Sequence, residues 1–425
     1  MLSKQIFRKY SVLQILFFVF VVWSAGGATV YQGYLYSPNN IVTIPIVAIC
    51  CLMLSNERVS MLSRDLVVIT IFLLIWGAIG TSVMGYSCHY LYLIYNLFLA
   101  YTICNVYKKD MFVLYENVVT IFSLISLIAF FTVLSIPSFA ELLKSISIHR
   151  VSGLWESNVL LFGIQQIDYE TAILFSRRNL GFAWEPGRFA VIVVIALYFN
   201  LVINKFILKG NQNFWILFTT LITTQSTTGY GAAMGVVLLY FYNSKYKSAI
   251  VPIGILIFFI FSSLSFMNEK ILTLWNWQQN QSIHFDNQMM YYADNEVNYV
   301  PQRFEGIYYD ILNFLHSPFW GYGSDFTNSY VNTVMFQGAR IYASDGIMQI
   351  FSSTGIFVAV FFYWLLFRSS TMISKTLGYK GTFLFVTMFL LVNISYNFWM
   401  ITIYTSMILF SLFYHEETEY NNSHV

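Results

Sequence analysis

Long apolar runs separated by short polar segments make up most of the chain. About twelve runs approach the roughly 20 residues that a helical membrane span requires. They are 11–30, 41–55, 65–84, 90–106, 115–135, 187–204, 213–225, 228–243, 249–266, 344–367, 382–395 and 397–414. Two longer polar stretches, 136–187 and 267–343, interrupt the series. The pattern predicts an all-α polytopic membrane protein with about 12 transmembrane helices and two large loops, built as a single domain over residues 1–425.

Composition excludes a soluble globular protein. The chain is 57% hydrophobic and 10% charged, whereas about a quarter of the residues in soluble domains are charged. The apolar excess must face lipid, which predicts the bilayer as a partner, and the net charge of +2 says nothing about nucleic acid. No nucleic-acid partner is predicted. The four cysteines lie in or beside apolar runs, which excludes a disulfide framework in the loops and a thiolate metal site.

The distribution of basic residues predicts which side each loop faces. With the N-terminus inside, 14 of the 22 Lys and Arg residues fall in short cytoplasmic segments. The short outer turns, 31–40 and 85–89, contain none. The other eight lie in or beside the two long loops, and long loops do not determine topology. Both termini are therefore predicted in the cytoplasm, and both large loops on the outer side.

The segment 212–243 is predicted to form a re-entrant hairpin. A single helix of this length would be about 48 Å long, too long for one crossing. Lysines flank both ends of the segment, which must therefore cross an even number of times. Its polar tip, 223–229, is expected to lie in an outward-facing cavity, because irregular backbone is not tolerated in lipid. The alternative is that the tip hydroxyls only cap the second helix.

The end of the first large loop contains the densest charge cluster. Arg177, Arg178 and Arg188 flank Glu185 directly before a predicted helix that begins at Pro186. One interpretation is an interfacial anchor that binds lipid phosphate. The alternative is a functional site, because ionisable groups at membrane depth usually have a function.

The second large loop contains a predicted amphipathic helix over 303–315. Arg303, Gly306, Asp310 and Asn313 share its polar face, which is either a solvated surface or a functional one. Asp345 precedes the next span, where it is either a helix N-cap or a carboxylate facing the cavity. Asp294 and Glu296 have the spacing of a metal-binding motif without a second motif to support it, so no metal is predicted.

These features together resemble the O-antigen polymerase (Wzy) family, within the wider O-antigen ligase and polymerase group. The resemblance rests on layout and on four local motifs. The motifs are Arg178-x-x-Gly181 continuing into Trp184-Glu185-Pro186-Gly187, the Ser226-Thr227-Thr228-Gly229 tip, the Pro318-x-x-Gly321-Tyr322-Gly323 turn, and the residues at 344–356. Related ligases have a His at the position of Ser344, then Asn, Ser or Gln at that of Asp345, and a Gly at that of Gly355. The His is missing here, which favours a polymerase over a ligase.

The resemblance implies a metal-independent glycosyltransferase without a cofactor, at the outer face of the bacterial inner membrane. Its substrates would be undecaprenyl-diphosphate-linked glycans. A chain-length regulator and a flippase would be its candidate protein partners. Arginine suits a diphosphate because its planar fork binds two oxygens, and a carboxylate suits removal of a hydroxyl proton. The diphosphate would be bound by Arg178, Arg188, Arg303, Arg340, Ser226, Thr227, Thr228 and Gly229. The candidate bases are Glu185, Asp345 and Asp310.

Two other functions remain open on the sequence. One is an O-antigen ligase. The other is a flippase or transporter of lipid-linked repeats, which should place charges midway along its helices. Mid-helix positions here are nearly free of charge, which favours an enzyme at the membrane surface.

Overall fold

A computed structural model describes most of the chain. The described residues are 2–27, 43–86, 90–146, 148–150, 155–158, 160–166, 178–243, 252, 298–299, 301, 303–323, 326–335, 340–341 and 346–414. The predicted span at 249–266, apart from residue 252, and the outer turn at 31–40 lie outside them, as do the metal-like residues Asp294 and Glu296.

The described residues are predominantly helical. The helices are α1 (Leu2–Lys9), α2 (Val12–Ser24), α3 (Thr43–Asn56), α4 (Arg64–Met84), α5 (Leu91–Tyr107), α6 (Asp110–Ser135), α7 (Pro137–Ile146), α8 (Pro186–Ile203), α9 (Gln212–Thr224), α10 (Thr227–Asn243), α11 (Arg303–His316), α12 (Gln349–Leu377), α13 (Thr382–Asn393), α14 (Thr402–Ile408) and α15 (Phe410–Phe413).

Four of these helices, α4, α6, α8 and α12, are long and apolar enough to cross a membrane by length and composition. Shorter apolar helices, α2, α3, α5 and α13, accompany them. The full number of twelve spans stays a prediction. The predicted span at 397–414 is not one continuous helix, because a 3₁₀ turn at Phe398–Met400 precedes α14 and α15. Hydroxyl groups such as Thr405 Oγ1, 2.9 Å from the carbonyl oxygen of Trp399, bind backbone in this broken stretch.

Helix α8 forms the centre of the bundle. Every residue from Phe189 to Val202 is buried, and α6, α9 and α10 pack around it. A helix that is apolar on all sides is expected in such a position. Helix α4 is the opposite case, because Val68, Ile75 and Val83 are each more than half exposed. The first residues of α8 are therefore held in place by the best-packed part of the protein.

The segment 212–243 forms two short helices joined by a tight turn, as predicted, while its re-entrant path through a membrane stays a prediction. Helices α9 and α10 have 13 and 17 residues, and the chain reverses at Gln225, which adopts a left-handed conformation with φ +47°. Ser226 begins α10, because its Oγ accepts a hydrogen bond from the Gly229 N–H at 3.2 Å. The tip is thus a tight turn whose second arm begins with a capped helix N-terminus.

The loops add short strands that the all-α prediction did not include. Strands β1 (Ile148–Arg150), β2 (Trp155–Asn158) and β3 (Gly163–Gln166) form an antiparallel sheet with Arg150 opposite Glu156 and Asn158 opposite Gly163. Strands β4 (Asn298–Tyr299) and β5 (Arg340–Ile341) pair in parallel. Both sheets lie in the predicted large loops, and no described residue of a predicted span belongs to a strand.

Helix α12 is broken at Gly355, and the turn 318–323 fills the break. Gly355 has φ +76°, and a side chain there would overlap the carbonyl group of Phe319. The N–H groups of Tyr322 and Gly323 donate to the carbonyls of Ser352 and Ser353 at 2.8 Å. Only glycine tolerates both this backbone and this contact. The Pro-x-x-Gly-Tyr-Gly motif and Gly355 are therefore two halves of one packing unit.

Candidate functional site

Arg178 lies directly on the tip of the hairpin. Its Nε donates a hydrogen bond to the carbonyl oxygen of Thr224, 3.1 Å away. If the tip and Arg178 share a ligand, they should lie within about 10 Å of each other, one Debye length at ordinary salt. The structure meets this condition for Arg178. The side chain is half-buried, and one edge of its guanidinium group is used by Thr224.

Asn179 fixes the backbone beside Arg178. It is fully buried, and its Nδ2 donates to Ser126 Oγ of α6 at 2.9 Å and to Thr223 Oγ1 of α9 at 3.0 Å. Its backbone N–H also donates to the Thr223 carbonyl at 2.9 Å. Arg178 is therefore positioned by a buried amide that ties the loop to two helices.

Burial and nearby acidic groups shift the pKa of Arg178 in opposite directions. Burial lowers the pKa of the Arg178 guanidinium, and the fields of Glu185, Tyr396 and Tyr230 raise it. Arginine stays charged in proteins because its ordinary pKa is so high. A half-buried cation beside a carboxylate and two phenols is poorly hydrated. Binding of an anionic ligand therefore stabilises such a cation more than it would stabilise an exposed cation.

Glu185 occupies the N-cap position of α8 without capping the helix through its side chain. The preceding residue, Trp184, has an indole N–H that is buried and has no acceptor among the described residues. An indole N–H usually finds an acceptor when it is buried. Glu185 and Trp184 thus present an acceptor and a donor side by side at the start of the central helix.

The N-termini of α8 and α10 meet at this place. A side chain at Gly187 would overlap the hydroxyl of Tyr396, and its Cβ would lie 3.6 Å from Ser226 Oγ. Gly187 is the second residue of α8, and Ser226 caps α10. Each helix N-terminus carries a partial positive charge. Two such ends lie near Arg178, whose guanidinium binds the carbonyl at the C-terminal end of α9, and helix N-termini are suited to binding an anion.

The loop around Ser395 and Tyr396, to which the sequence analysis assigned no role, forms another side of this site. Ser395 Oγ lies 2.8 Å from Thr228 Oγ1, and the Asn393 carbonyl accepts from the Gly346 N–H at 2.7 Å. A Cβ at Gly346 would lie 2.6 Å from the Tyr396 carbonyl oxygen. The only signal in the sequence is the polar run 393–397 between two apolar runs. The loop brings the residue after Asp345 to the hairpin and to Tyr396.

Arg188 makes a different contact from Arg178. Its Nε donates to the Ala25 carbonyl oxygen at the end of α2, 2.7 Å away, and its guanidinium group fills the space beside Gly27. The backbone N–H of Trp184 donates to the carbonyl of Gly26 at 3.2 Å. Small residues at 25–27 therefore let the first helix support the start of α8. The predicted binding role of Arg188 stays a prediction, and the structure adds an anchoring contact.

Gly229 has a packing role that the sequence analysis did not foresee. A Cβ at this position would lie 2.5 Å from the Cβ of Ala190 on α8, whereas Gly231 has no atoms within 4 Å of that point. The Gly229 N–H already donates to Ser226 Oγ. Gly229 thus allows α10 and α8 to approach closely. Its predicted role in binding diphosphate, like that of Thr227, stays a prediction.

Asp310 belongs to a second polar cluster, between α11 and α12. Its Oδ1 accepts from Ser352 Oγ at 2.7 Å, and neighbouring Asn313 accepts from the Val331 N–H at 3.0 Å. Asp310 has no exposed surface, while Leu315 on the other face of α11 is 62% exposed. The interpretation of this polar face as a solvated surface is therefore wrong. The face is buried against the broken start of α12.

The remaining predicted site residues fall at the edge of the described structure. Arg303 begins α11 and Arg340 lies in β5, but the positions of their side chains are not described. Asp345, Ser344 and Arg177 lie outside the described residues. Among the side chains that are described, no three His, Cys, Asp or Glu residues come together as a potential metal site.

Comparison with known proteins supports the resemblance for part of the chain. Residues 212–363 match the family model Wzy_C, described as O-antigen ligase. The matched region includes the hairpin, α11, the 318–323 turn and the start of α12, and it supports the O-antigen ligase and polymerase group. Arg178 and Glu185 precede it. No curated protein and no solved structure matches the chain.

Proposed function

From the O-antigen ligase-like domain at residues 212–363, we propose that the chain polymerises undecaprenyl-diphosphate-linked oligosaccharide repeats at the outer face of the inner membrane. The observation that carries the proposal is the meeting of Arg178 with the N-termini of α8 and α10. A lipid diphosphate is the anionic group common to both substrates. The same place holds Glu185, which can accept a proton.

Arg178 and the two helix ends would stabilise the leaving group. In the proposed reaction a sugar hydroxyl of one lipid-linked repeat attacks the anomeric carbon of the growing chain. The bond between that carbon and the diphosphate oxygen breaks, and negative charge develops on the lipid diphosphate. Preorganised donors at a site of developing charge each contribute about 10²–10³ in rate. Ser226 and Thr228 supply further hydroxyl groups beside the same helix N-terminus.

Glu185 would take the proton of the attacking hydroxyl. It lies within electrostatic range of Arg178, so a sugar bound through its diphosphate would be delivered close to the carboxylate. Asp310 is a weaker candidate, because its carboxylate has no exposed surface and accepts from Ser352. Asp345 remains a candidate, since its neighbour Gly346 is bonded to the loop beside Tyr396.

An O-antigen ligase is the second candidate, and the description of the matched family model favours it. The two functions share a donor and differ in acceptor. A ligase would transfer the glycan to a lipid A core, whereas a polymerase transfers it to another lipid-linked repeat. The presence of Ser344 where related ligases have a His favours the polymerase.

Reconstitution tests this proposal. Purified protein in liposomes would receive the lipid-linked repeat alone, or the repeat together with lipid A core, and products would be resolved by gel and mass spectrometry. A ladder of repeat multiples with release of lipid diphosphate from the repeat alone supports polymerisation. Product formed only when lipid A core is present would overturn polymerase in favour of ligase. Movement of the repeat across the bilayer without a new glycosidic bond would overturn both enzymes.

A further inference from the structure

A groove of about 580 Å³ lies at the end of the hairpin opposite its tip, between α10, α12 and α13. Its walls include Leu238 and Tyr242 of α10, Phe367 of α12, and Phe383 of α13. Ligand sites usually have volumes of about 300–1,000 Å³. The charge pattern predicts that this end of the bundle faces the cytoplasm, so the groove would open into the inner leaflet.

Hydrogen bonds hold the three walls of the groove together. The Asn243 Nδ2 donates to the Lys380 carbonyl at 2.8 Å, and the Lys380 N–H donates back to Asn243 Oδ1 at 3.0 Å. Ser370 Oγ donates to the Thr382 carbonyl oxygen at 2.6 Å. These bonds tie α10 to the turn before α13, and α12 to α13. The groove is therefore preformed, and a ligand would not have to order its walls.

Three exposed cations, Arg368, Lys375 and Lys380, lie on the segments that build the groove. Arg368 and Lys375 lie on the same stripe of α12 as the groove residues Phe367 and Thr371, at spacings of three, four and seven residues. Lys380 directly precedes Gly381 in the groove wall. The Arg368 guanidinium lies 5.3 Å from the centre of the Trp364 ring. The apolar walls and the cationic rim match the two parts of a phospholipid.

No acidic residue lies in either segment that builds the groove. The sequence has no Asp or Glu between Glu185 and Glu269, nor between Asp345 and Glu416. The three cations therefore have no countercharge from their own segments. A basic pocket between helices on the cytoplasmic side is the kind of surface that binds anionic lipid headgroups. Zwitterionic lipids would leave the positive charge uncompensated.

We propose that this groove is a binding site for an anionic phospholipid. An acyl chain would lie against the rings of Phe367 and Phe383, which pack edge to face with their centres 5.5 Å apart. The phosphate would contact Arg368, Lys375 and Lys380. The proposal is independent of the glycosyl transfer proposed above, because it involves the opposite end of α10.

Native mass spectrometry of the full-length protein tests the site with phosphatidylglycerol and phosphatidylcholine as probes. The wild type is expected to retain phosphatidylglycerol in preference to phosphatidylcholine. The triple variant Arg368→Gln, Lys375→Gln, Lys380→Gln should lose this preference by roughly tenfold. Thr371→Trp should lower retention by filling the groove while leaving every cation in place.

Lys205→Gln with Lys209→Gln is the matched control, because it removes two exposed cations from a turn outside the groove. Its phosphatidylglycerol preference should equal that of the wild type. An equal loss in this control would show general surface attraction and overturn the site. Full retention in a folded Thr371→Trp variant, verified by an unchanged unfolding temperature, would also overturn it.

Discussion

The Arg178 site and the Asp310 cluster both place a charged side chain beside a helix N-terminus in the loop-bearing part of the protein. Arg178 and Glu185 are only half-buried, and the Glu185 side chain does not cap its own helix. Asp310 has no exposed surface, and Ser352 donates to it. The first site contains charge that a ligand can reach. The second uses its charge to hold α11 against α12.

This difference separates ligand binding from packing among residues that look alike in the sequence. A buried carboxylate such as Asp310, which accepts a hydrogen bond through one oxygen, stabilises the fold only relative to its own unpaired form. A half-exposed positive charge beside two helix N-termini is stabilised further when an anion binds there. We therefore expect substitutions at the first site to change chemistry, and those in the second cluster to change stability.

Arg178→Ala is expected to have the largest effect on polymer. Loss of a preorganised donor at the leaving group should reduce polymer by about 10²–10³, while single repeats still reach the surface. Arg178→Lys should restore activity only in part, because an ammonium group cannot bind two oxygens in parallel. Polymer is measured on gels against protein quantity in the membrane. Arg64→Ala, at an exposed helix start, is the control, and full polymer from Arg178→Ala would remove Arg178 from the site.

Glu185→Gln is expected to have the next largest effect. Turnover should fall by about 10²–10⁴, because the side chain keeps its shape but cannot accept a proton. Binding of the donor lipid should not weaken, since a negative charge near the diphosphate has been removed. Turnover in liposomes and lipid binding are measured separately, with exposed Glu141→Gln as the control. Near-normal turnover would transfer the role of base to Asp345.

Gly229→Ala and Gly231→Ala form a matched pair on one helix. The first places a Cβ 2.5 Å from that of Ala190, and the second meets no atom within 4 Å. Overpacking should cost Gly229→Ala about 1–3 kcal/mol, while Gly231→Ala should be neutral or stabilising. Thermal unfolding in detergent measures both. Equal unfolding temperatures would show that α8 and α10 do not approach this closely.

Asp310→Asn should lower stability more than activity. Replacement of the carboxylate weakens the bond from Ser352 and should cost about 1–3 kcal/mol. Polymer per folded protein should stay within about threefold of the wild type, since a hydrogen bond of this size contributes little to chemistry. If folded Asp310→Asn loses polymer as completely as Arg178→Ala, the distinction between the two regions fails.

Tyr396→Phe should have the smallest effect. It removes a hydroxyl that lies against Gly187 and faces Arg178. Loss of one neutral hydrogen-bonding group corresponds to about 0.5–1.5 kcal/mol, roughly a twofold to tenfold change in rate. Tyr414→Phe, near the end of the described chain, is a control. A loss above a hundredfold would instead make the Tyr396 hydroxyl a participant in proton transfer.

Local pattern was enough to predict much of the fold. The flanking lysines predicted the hairpin at 212–243, and helical spacing predicted α11, because both depend on residues close in sequence. Pattern did not reveal that the polar face of α11 is buried or that Gly229 packs on Ala190. Those contacts join segments far apart in the chain. Tyr396 was missed for the same reason, since its neighbours Gly187 and Gly346 come from two motifs far from it in the chain.

Binding of a soluble isoprenyl diphosphate tests the central claim most directly. Calorimetry would compare farnesyl diphosphate with farnesyl monophosphate on purified wild type, Arg178→Ala and Asp310→Asn. The account predicts that the wild type prefers the diphosphate, that Arg178→Ala loses at least about tenfold in diphosphate affinity, equal to about 1.4 kcal/mol, and that Asp310→Asn retains it. Unchanged diphosphate affinity in folded Arg178→Ala would contradict the account.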